Sequence, residues 1–147
     1  MPCVGRMNFA RVMLTFFAAS QGNATLAIDF NRTHATNPRW PGHARFHLVW
    51  HNITVALFAA IAVALIWWRE PYPDERFYLA AFLTFIPMLG FLAALVSRKL
   101  YGGTLHDDNG IPPLRLPFRG KLLELDGNAI AVALGCTFLA VTVLIYR

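Results

Sequence analysis

The stretch Val55–Trp68, with the sequence VALFAAIAVALIWW, decides the fold, because it contains no charged, amide or hydroxyl side chain. A helix rises about 1.5 Å per residue, so about 20 apolar residues cross a hydrocarbon layer about 30 Å thick. Trp50 lies before this stretch, and Trp67 and Trp68 end it. Tryptophan is enriched at both membrane–water interfaces, so we predict a membrane span over residues 46–68.

The composition of the whole chain agrees with a membrane protein. Of the 147 residues, 56% are hydrophobic and 14% are charged, and the mean hydropathy is +0.46. Soluble domains are about a quarter charged, so this composition argues against a water-soluble globule and against a disordered chain. The net charge of +5 comes from short basic clusters between apolar runs, which is typical of residues facing lipid headgroups. We therefore expect the lipid bilayer as a partner, and no nucleic acid.

Two further runs have the length and composition of spans. The run over residues 77–96 contains Pro87, which is expected to kink it, and ends before the basic pair Arg98-Lys99. The run over residues 128–146 follows Asp126, a residue type that caps helix N-termini. Both are predicted to be membrane helices.

A first run, over residues 8–28, is less apolar and leaves two interpretations open. Two arginines before a short apolar core, with Ala18-Ala19-Ser20 after it, fit a cleavable signal peptide. However, Gln21, Thr25 and Asp29 recur every four residues and so form one stripe of a helix. Because such a stripe can face the interior of a bundle, we favour an uncleaved first span.

These runs predict an all-α fold: one domain, residues 1–147, forming an antiparallel bundle of four transmembrane helices. Its two longer polar loops, about 29–45 and 98–125, must lie on the same side and are expected to form a structured cap. We call this side the long-loop end, and the opposite side the short-loop end. The long-loop end carries eight of the thirteen lysines and arginines. The positive-inside rule then predicts cytoplasmic long loops, in a bacterial inner membrane or a eukaryotic endomembrane.

The spacing of small residues predicts where helices approach each other. Ala18 and Gly22 in the first run, and Ala131 and Gly135 in the last, are separated by one helical turn. Small residues at this spacing allow close packing of membrane helices. We expect at least one of these two faces to be a helix–helix contact.

The histidines all lie on the long-loop side: His34, His43, His47, His51 and His106. Three of them, His43, His47 and His51, fall on one helical stripe. A pair at this spacing can chelate a metal, which makes His43 and His47 candidate metal ligands. The three together extend about 12 Å along a helix, too far for one ion. We therefore favour histidines hydrogen-bonded in the headgroup region, with no cofactor.

Acidic and amide side chains gather at the same end, which defines a candidate site. We take Asp29, His47 and His51 as candidate catalytic residues, because a carboxylate can orient a histidine for proton transfer near neutral pH. A carboxylate near hydrocarbon needs a partner, so we expect Asp29 to pair with His34, His47 or Arg45. The candidate ligand-binding residues are Gln21, Thr25, His34, Trp50, Asp126 and Asn128.

One stretch also suggests a family. Asn37–His47, with the sequence NPRWPGHARFH, resembles the N-P-x-W-P-x-H-A-R-F-H signature of an uncharacterised family of small four-span membrane proteins. Asp29, Asn31 and His34 are similar to the polar residues that precede that signature. The resemblance implies a four-span fold and no particular activity.

Three classes of function remain open. The favoured one is a binding or accessory protein that binds a lipophilic small molecule or a partner membrane subunit. The second is a membrane enzyme that performs acid–base chemistry on a lipophilic substrate. The third is a metal or haem protein that uses the histidine cluster.

Overall fold

The computed structural model describes residues 2–68, 71–106 and 112–147. Within these ranges four α-helices follow one another: α1 (Pro2–Asp29), α2 (Gly42–Trp67), α3 (Pro73–Ser97) and α4 (Gly127–Tyr146). A single 3-10 turn, Arg98–Leu100, extends α3, and two strands, β1 (Leu114–Phe118) and β2 (Lys121–Leu125), precede α4.

Three of the described helices are long and apolar enough to cross a membrane: α2, α3 with its 3-10 extension, and α4. They agree with the three runs predicted as spans at 46–68, 77–96 and 128–146. Three such helices indicate an integral membrane protein. Two of them begin four residues earlier than predicted: α2 follows Pro41, whose carbonyl accepts a hydrogen bond from the Arg45 amide, and Pro73 occupies the first turn of α3.

α1 is a long helix whose apolar composition falls short of a span. Three of its polar side chains form hydrogen bonds within the helix. The side chains of Thr15, Asn23 and Thr25 each donate a hydrogen bond of 2.8 Å to the carbonyl four residues earlier. Such back-bonding removes unsatisfied donors, which are costly away from water. The sequence prediction of a helix here is confirmed, whereas its crossing of the membrane stays a prediction.

The helices pack pairwise, α1 against α2 and α4, and α3 against the same two neighbours. The Trp67 indole N–H donates a hydrogen bond of 2.9 Å to Thr15 Oγ1, and a Cβ atom added at Gly22 would lie 2.8 Å from Ala59 Cβ. These two contacts, at different levels along the helices, show that α1 and α2 run antiparallel.

α4 is joined to its neighbours by a second close approach, at Gly135. A Cβ atom added there would lie 2.9 Å from Met88 Sδ on α3 and 3.0 Å from Phe17 Cζ on α1. The prediction that a small-residue face forms a helix contact is therefore confirmed, for Gly22 and for Gly135. Ala18 is also wholly buried, whereas Ala131 is exposed.

The apolar core is concentrated in the half of the protein nearer the short-loop end. Its members come from all four helices and include Leu14, Ile66, Phe77 and Leu139. The rings of Phe77 and Tyr146 stack face to face with centroids 3.6 Å apart. No residue of the cluster lies on the turns nearest the long loops, so the helices are less filled at that end.

The cap predicted at the long-loop end includes an ordered turn between α1 and α2. Asn37 is wholly buried there, and both of its polar groups are paired. Its side-chain amide donates to the Thr33 carbonyl at 3.0 Å, and its Oδ1 accepts from the Arg39 amide at 3.0 Å. The chain then turns through Pro38 and Pro41 into α2. The Asn37–His47 stretch thus forms the end of this turn and the start of the helix.

The second long loop departs from the all-α prediction, because β1 and β2 pair as an antiparallel hairpin. Arg119 and Gly120 connect the strands with φ of 48° and 75°. Positive φ at both central residues makes a type I′ turn, whose twist matches that of paired strands. The prediction read residues 98–125 as polar loop and missed this pattern, since Pro117 interrupts the first strand and weakens its signature.

Candidate functional site

A cavity of about 450 Å³ lies between the four helices at the long-loop end. Every helix contributes side chains to its wall. The polar ones are Ser20, Gln21, Thr25 and Asp29 from α1, His51 from α2 and Asn128 from α4.

The polar wall follows from the helical stripe seen in the sequence. Gln21, Thr25 and Asp29 lie one turn apart on α1, and all three face the cavity, as predicted. The structure also brings His51 and Asn128 to the same cavity from two other helices. Five of the residues named as site candidates thus meet in space.

The deepest part of the wall is apolar, with Phe17 of α1 and Met88 of α3 beside Gly135 of α4. The apolar residues Ile28 and Val55 lie among the polar side chains. Pro87 also lines the cavity, and α3 continues through it without interruption. Because proline has no N–H, the turn beside the cavity lacks one helical hydrogen bond. Asp29 and His51 therefore lie at the long-loop end of the cavity, and Phe17 and Met88 lie at its opposite end.

Asp29 connects the cavity to the cap. Its Oδ1 atom lies 3.8 Å from Nδ1 of His34, which is within ion-pair distance when His34 is protonated and too long for a hydrogen bond. The carbonyl of Asp29 accepts a hydrogen bond of 2.9 Å from the Ala35 amide. Of the three partners predicted for Asp29, namely His34, His47 and Arg45, the structure places His34 at this distance.

His34 lies in the cap and outside the cavity wall. Its Nδ1 is 2.7 Å from Thr33 Oγ1, and its ring meets Trp40 edge to face at 5.6 Å. These contacts hold the imidazole against the turn. His34 therefore approaches Asp29 from the cap and does not line the cavity.

His43 and His47 contact each other on the exposed surface of α2. Their Nε2 atoms are 3.0 Å apart, and the His47 ring stacks on Trp50 at 5.7 Å. Neither histidine lines the cavity. Across residues 2–68, 71–106 and 112–147, no group of three or more histidine, cysteine or acidic side chains is placed to hold a metal. The pair thus has no third protein ligand within those ranges.

Trp50 and Asp126 also lie away from the cavity. Trp50 is exposed, with 59% of its surface accessible. Asp126 caps α4, because its Oδ1 accepts a hydrogen bond of 3.0 Å from the Ala129 amide. It lines a separate open groove of about 650 Å³ together with Arg98 and His106. The capping role accounts for Asp126 without a ligand.

Asn52 is a polar residue that the sequence did not single out for the site. It is wholly buried, and within the described chain neither its Nδ2 nor its Oδ1 has a hydrogen-bond partner. Two turns beyond the Gly22–Ala59 contact, the antiparallel register places Asn52 level with Asp29. An unsatisfied amide therefore lies at the depth of the polar wall. The sequence feature that could have identified Asn52 is an amide side chain within a run predicted to span the membrane.

Comparisons of the chain with protein-family models, with curated proteins and with solved structures find no match. The function is therefore inferred from the cavity and its side chains. Their arrangement can hold a molecule with one polar end and an apolar body, and it can place an imidazole and a carboxylate beside that polar end.

Proposed function

We propose that the protein binds a lipophilic small molecule with one polar end, held in the cavity between the four helices at the long-loop end. The observation that carries this proposal is the separation of polarity along the cavity. Asp29, His51 and Asn128 lie near the membrane face, whereas Phe17 and Met88 lie deeper. A cavity volume of about 450 Å³ is within the range that holds small-molecule ligands.

The proposal includes α1 as a fourth membrane span. α1 contacts α2 near both the short-loop end and the middle, so the two helices run side by side over several turns. The stripe of Gln21, Thr25 and Asp29 faces the cavity, which turns the most polar side of α1 inward. These features support an antiparallel four-helix transmembrane bundle whose interior holds the ligand.

The chemistry of the wall favours a ligand whose polar end donates hydrogen bonds. Asp29 is an acceptor when ionised, and its side chain is only 19% exposed. Hydrogen bonds to a charged group are worth about 1.5–3 kcal/mol, more than those between neutral groups. A primary amine or an alcohol on a hydrocarbon body fits both ends of the cavity.

A second function, acid–base catalysis on a lipophilic substrate, is favoured by one observation. His51 and Asp29 line the same cavity from different helices, so a substrate's polar end can meet both. In that case His51 takes or gives the proton, and Asp29 stabilises the charged imidazole. His47, which lies outside the cavity, has no part in this version.

Binding is tested with the full chain in nanodiscs and a fluorescent probe, a dodecyl chain with a free amino group at one end and a dansyl label at the other. Ala131 lines the cavity and Ala140 does not, although both are exposed residues of α4. We expect Ala131→Trp to weaken saturable probe binding at least about tenfold, about 1.4 kcal/mol, because the indole fills the cavity. Ala140→Trp is the matched control and should bind the probe like the wild-type protein. Equal binding by both variants would contradict the proposal.

The role of Asp29 is tested by comparing this amine probe with an uncharged probe that has a hydroxyl group in place of the free amino group. Asp29→Asn keeps the shape of the side chain and removes its charge. We expect this variant to lose affinity for the amine and to keep most of its affinity for the alcohol. Unchanged amine binding would place the polar end of the ligand elsewhere.

A further inference from the structure

The hairpin that precedes α4 has one face made almost entirely of leucine and phenylalanine. Side chains alternate along a strand, so Leu114, Leu116 and Phe118 of β1 share one side. The register pairs Leu116 with Leu123 and Leu114 with Leu125, which adds these two β2 residues to it, and it places Lys121, the partner of Phe118, on the same side. We call Leu114, Leu116, Phe118 and Leu123 the apolar face. The opposite face carries the cross-strand pair Arg115–Glu124, whose Nε and Oε1 atoms are 3.0 Å apart.

The apolar face is not covered by the rest of the described chain. Its four members are 41–58% exposed, and no described helix packs extensively against either strand. An isolated two-stranded hairpin is at best marginally stable in water, so a hairpin with an uncovered leucine face needs a surface to lie on.

The position of the hairpin identifies that surface. α4 has 20 residues, and at about 1.5 Å per residue it is about 30 Å long, which equals the hydrocarbon thickness. The helix therefore has no spare turns, and Gly127 must lie at the membrane interface. Leu125, the last residue of β2, is two positions before it in the sequence. The hairpin thus begins at the headgroups.

Its charges match an anionic lipid surface. Arg119 occupies the turn, with its guanidinium carbon 5.4 Å from the centre of the Phe118 ring, and Lys121 begins the second strand. Arg98 and Lys99 end α3 on the same side of the protein. Basic side chains beside an apolar surface bind anionic headgroups while the apolar groups enter the interface.

We propose that the apolar face of this hairpin lies on the bilayer surface, with Arg119 and Lys121 binding the phosphates of anionic lipid headgroups. The hairpin then anchors the entrance of α4 at a fixed depth. This interaction is independent of any ligand in the cavity.

The test compares spin labels on two neighbouring leucines of β2. Leu123 belongs to the apolar face, and Leu122, which is also exposed, points to the other side. Each is replaced by cysteine in the full chain after Cys3→Ser and Cys136→Ser, and the protein is placed in nanodiscs containing phosphatidylglycerol. We expect the label at 123 to collide with oxygen and to be shielded from a water-soluble nickel chelate. The label at 122 should be accessible to the chelate.

Charge is tested with the double variant Arg119→Gln and Lys121→Gln. In nanodiscs with phosphatidylglycerol it should make the label at 123 more accessible to nickel, whereas Arg147→Gln, at the short-loop end, should not. Pure phosphatidylcholine should reproduce the effect of the double variant. Equal nickel access at 122 and 123 would overturn the proposal. Shielding of the label at 123 from both oxygen and the nickel chelate would also overturn it, because it would indicate a protein partner or a second copy. An unchanged label in the double variant would overturn the role of the two cations.

Discussion

Gly22 of α1 lies so close to Ala59 of α2 that a Cβ atom on Gly22 would be 2.8 Å from the Cβ atom of Ala59. The same added atom would be 3.4 Å from the Cα atom of Ala56. Lipid tails are as apolar as leucine, so membrane helices associate mainly through packing of this kind. This contact holds the less apolar α1 beside α2, and it sets the register that brings Asp29 to the cavity.

We expect Gly22→Ala to lower the stability of the protein by about 1–3 kcal/mol, because the methyl group overlaps Ala59 and the helices must separate. The measurement is thermal unfolding in detergent. Gly90 is the matched control: it also lies inside a helix, and nothing is within 4 Å of an added Cβ atom. Gly90→Ala should be neutral or stabilising. Equal loss in both variants would show that the Gly22–Ala59 approach is not what stabilises the pair of helices.

The short-loop end gives an independent prediction. The Tyr146 hydroxyl donates a hydrogen bond of 2.7 Å to Asp74 Oδ1, which ties the end of α4 to the start of α3. Tyr146→Phe removes the bond and keeps the stack on Phe77, so we expect a loss of about 1 kcal/mol. A double-mutant cycle with Asp74→Ala, which removes the acceptor, measures the coupling. Additive effects would contradict the bond, and probe binding in the cavity should be unchanged because the cavity lies at the other end.

The part of the site that could be predicted is the part carried by helical periodicity. Gln21, Thr25 and Asp29 share a stripe, and helical periodicity alone places such a stripe on one side of the helix. The positions of His51 and Asn128 at this end could also be predicted, because both residues lie near the start of a predicted span. For these residues the position along a helix already determines the depth.

The remainder depends on contacts that periodicity does not contain. His47 shares the stripe of His51, but it lies one turn further out and hydrogen-bonds to His43 on the surface. Asp126 caps α4, as the sequence predicted, and it lines a different groove from that of Asp29. The hairpin was not predicted, because proline is rare within strands and Pro117 lies inside β1. Its register depends on the turn at Arg119-Gly120.

Replacing the two buried asparagines, Asn52 and Asn37, by leucine is predicted to change the unfolding temperature in opposite directions. Burying an amide with neither group paired costs about 1–3 kcal/mol, so we expect Asn52→Leu to raise the unfolding temperature. Asn37 is equally buried, but both of its polar groups are hydrogen-bonded. Asn37→Leu should therefore lower the unfolding temperature. If Asn52→Leu also lowers it, the Asn52 amide is engaged by a group such as a bound water or a ligand.

The last prediction concerns whether α1 crosses the membrane. α1 has 28 residues and is about 42 Å long, so it can span the hydrocarbon with turns to spare. If it does, Gly5 and Thr36 lie on opposite sides; both are exposed, and Gly5 has nothing within 4 Å of an added Cβ atom. After Cys3→Ser and Cys136→Ser, Gly5→Cys and Thr36→Cys should react with an impermeant maleimide from opposite sides of sealed vesicles. Thr104→Cys, in the other long loop, should react from the same side as Thr36→Cys, and the positive-inside rule predicts that side to be the cytoplasm. Reaction of Gly5→Cys and Thr36→Cys from one side would show that α1 does not cross, and the polar stripe would then belong to a helix that closes the cavity from the membrane surface.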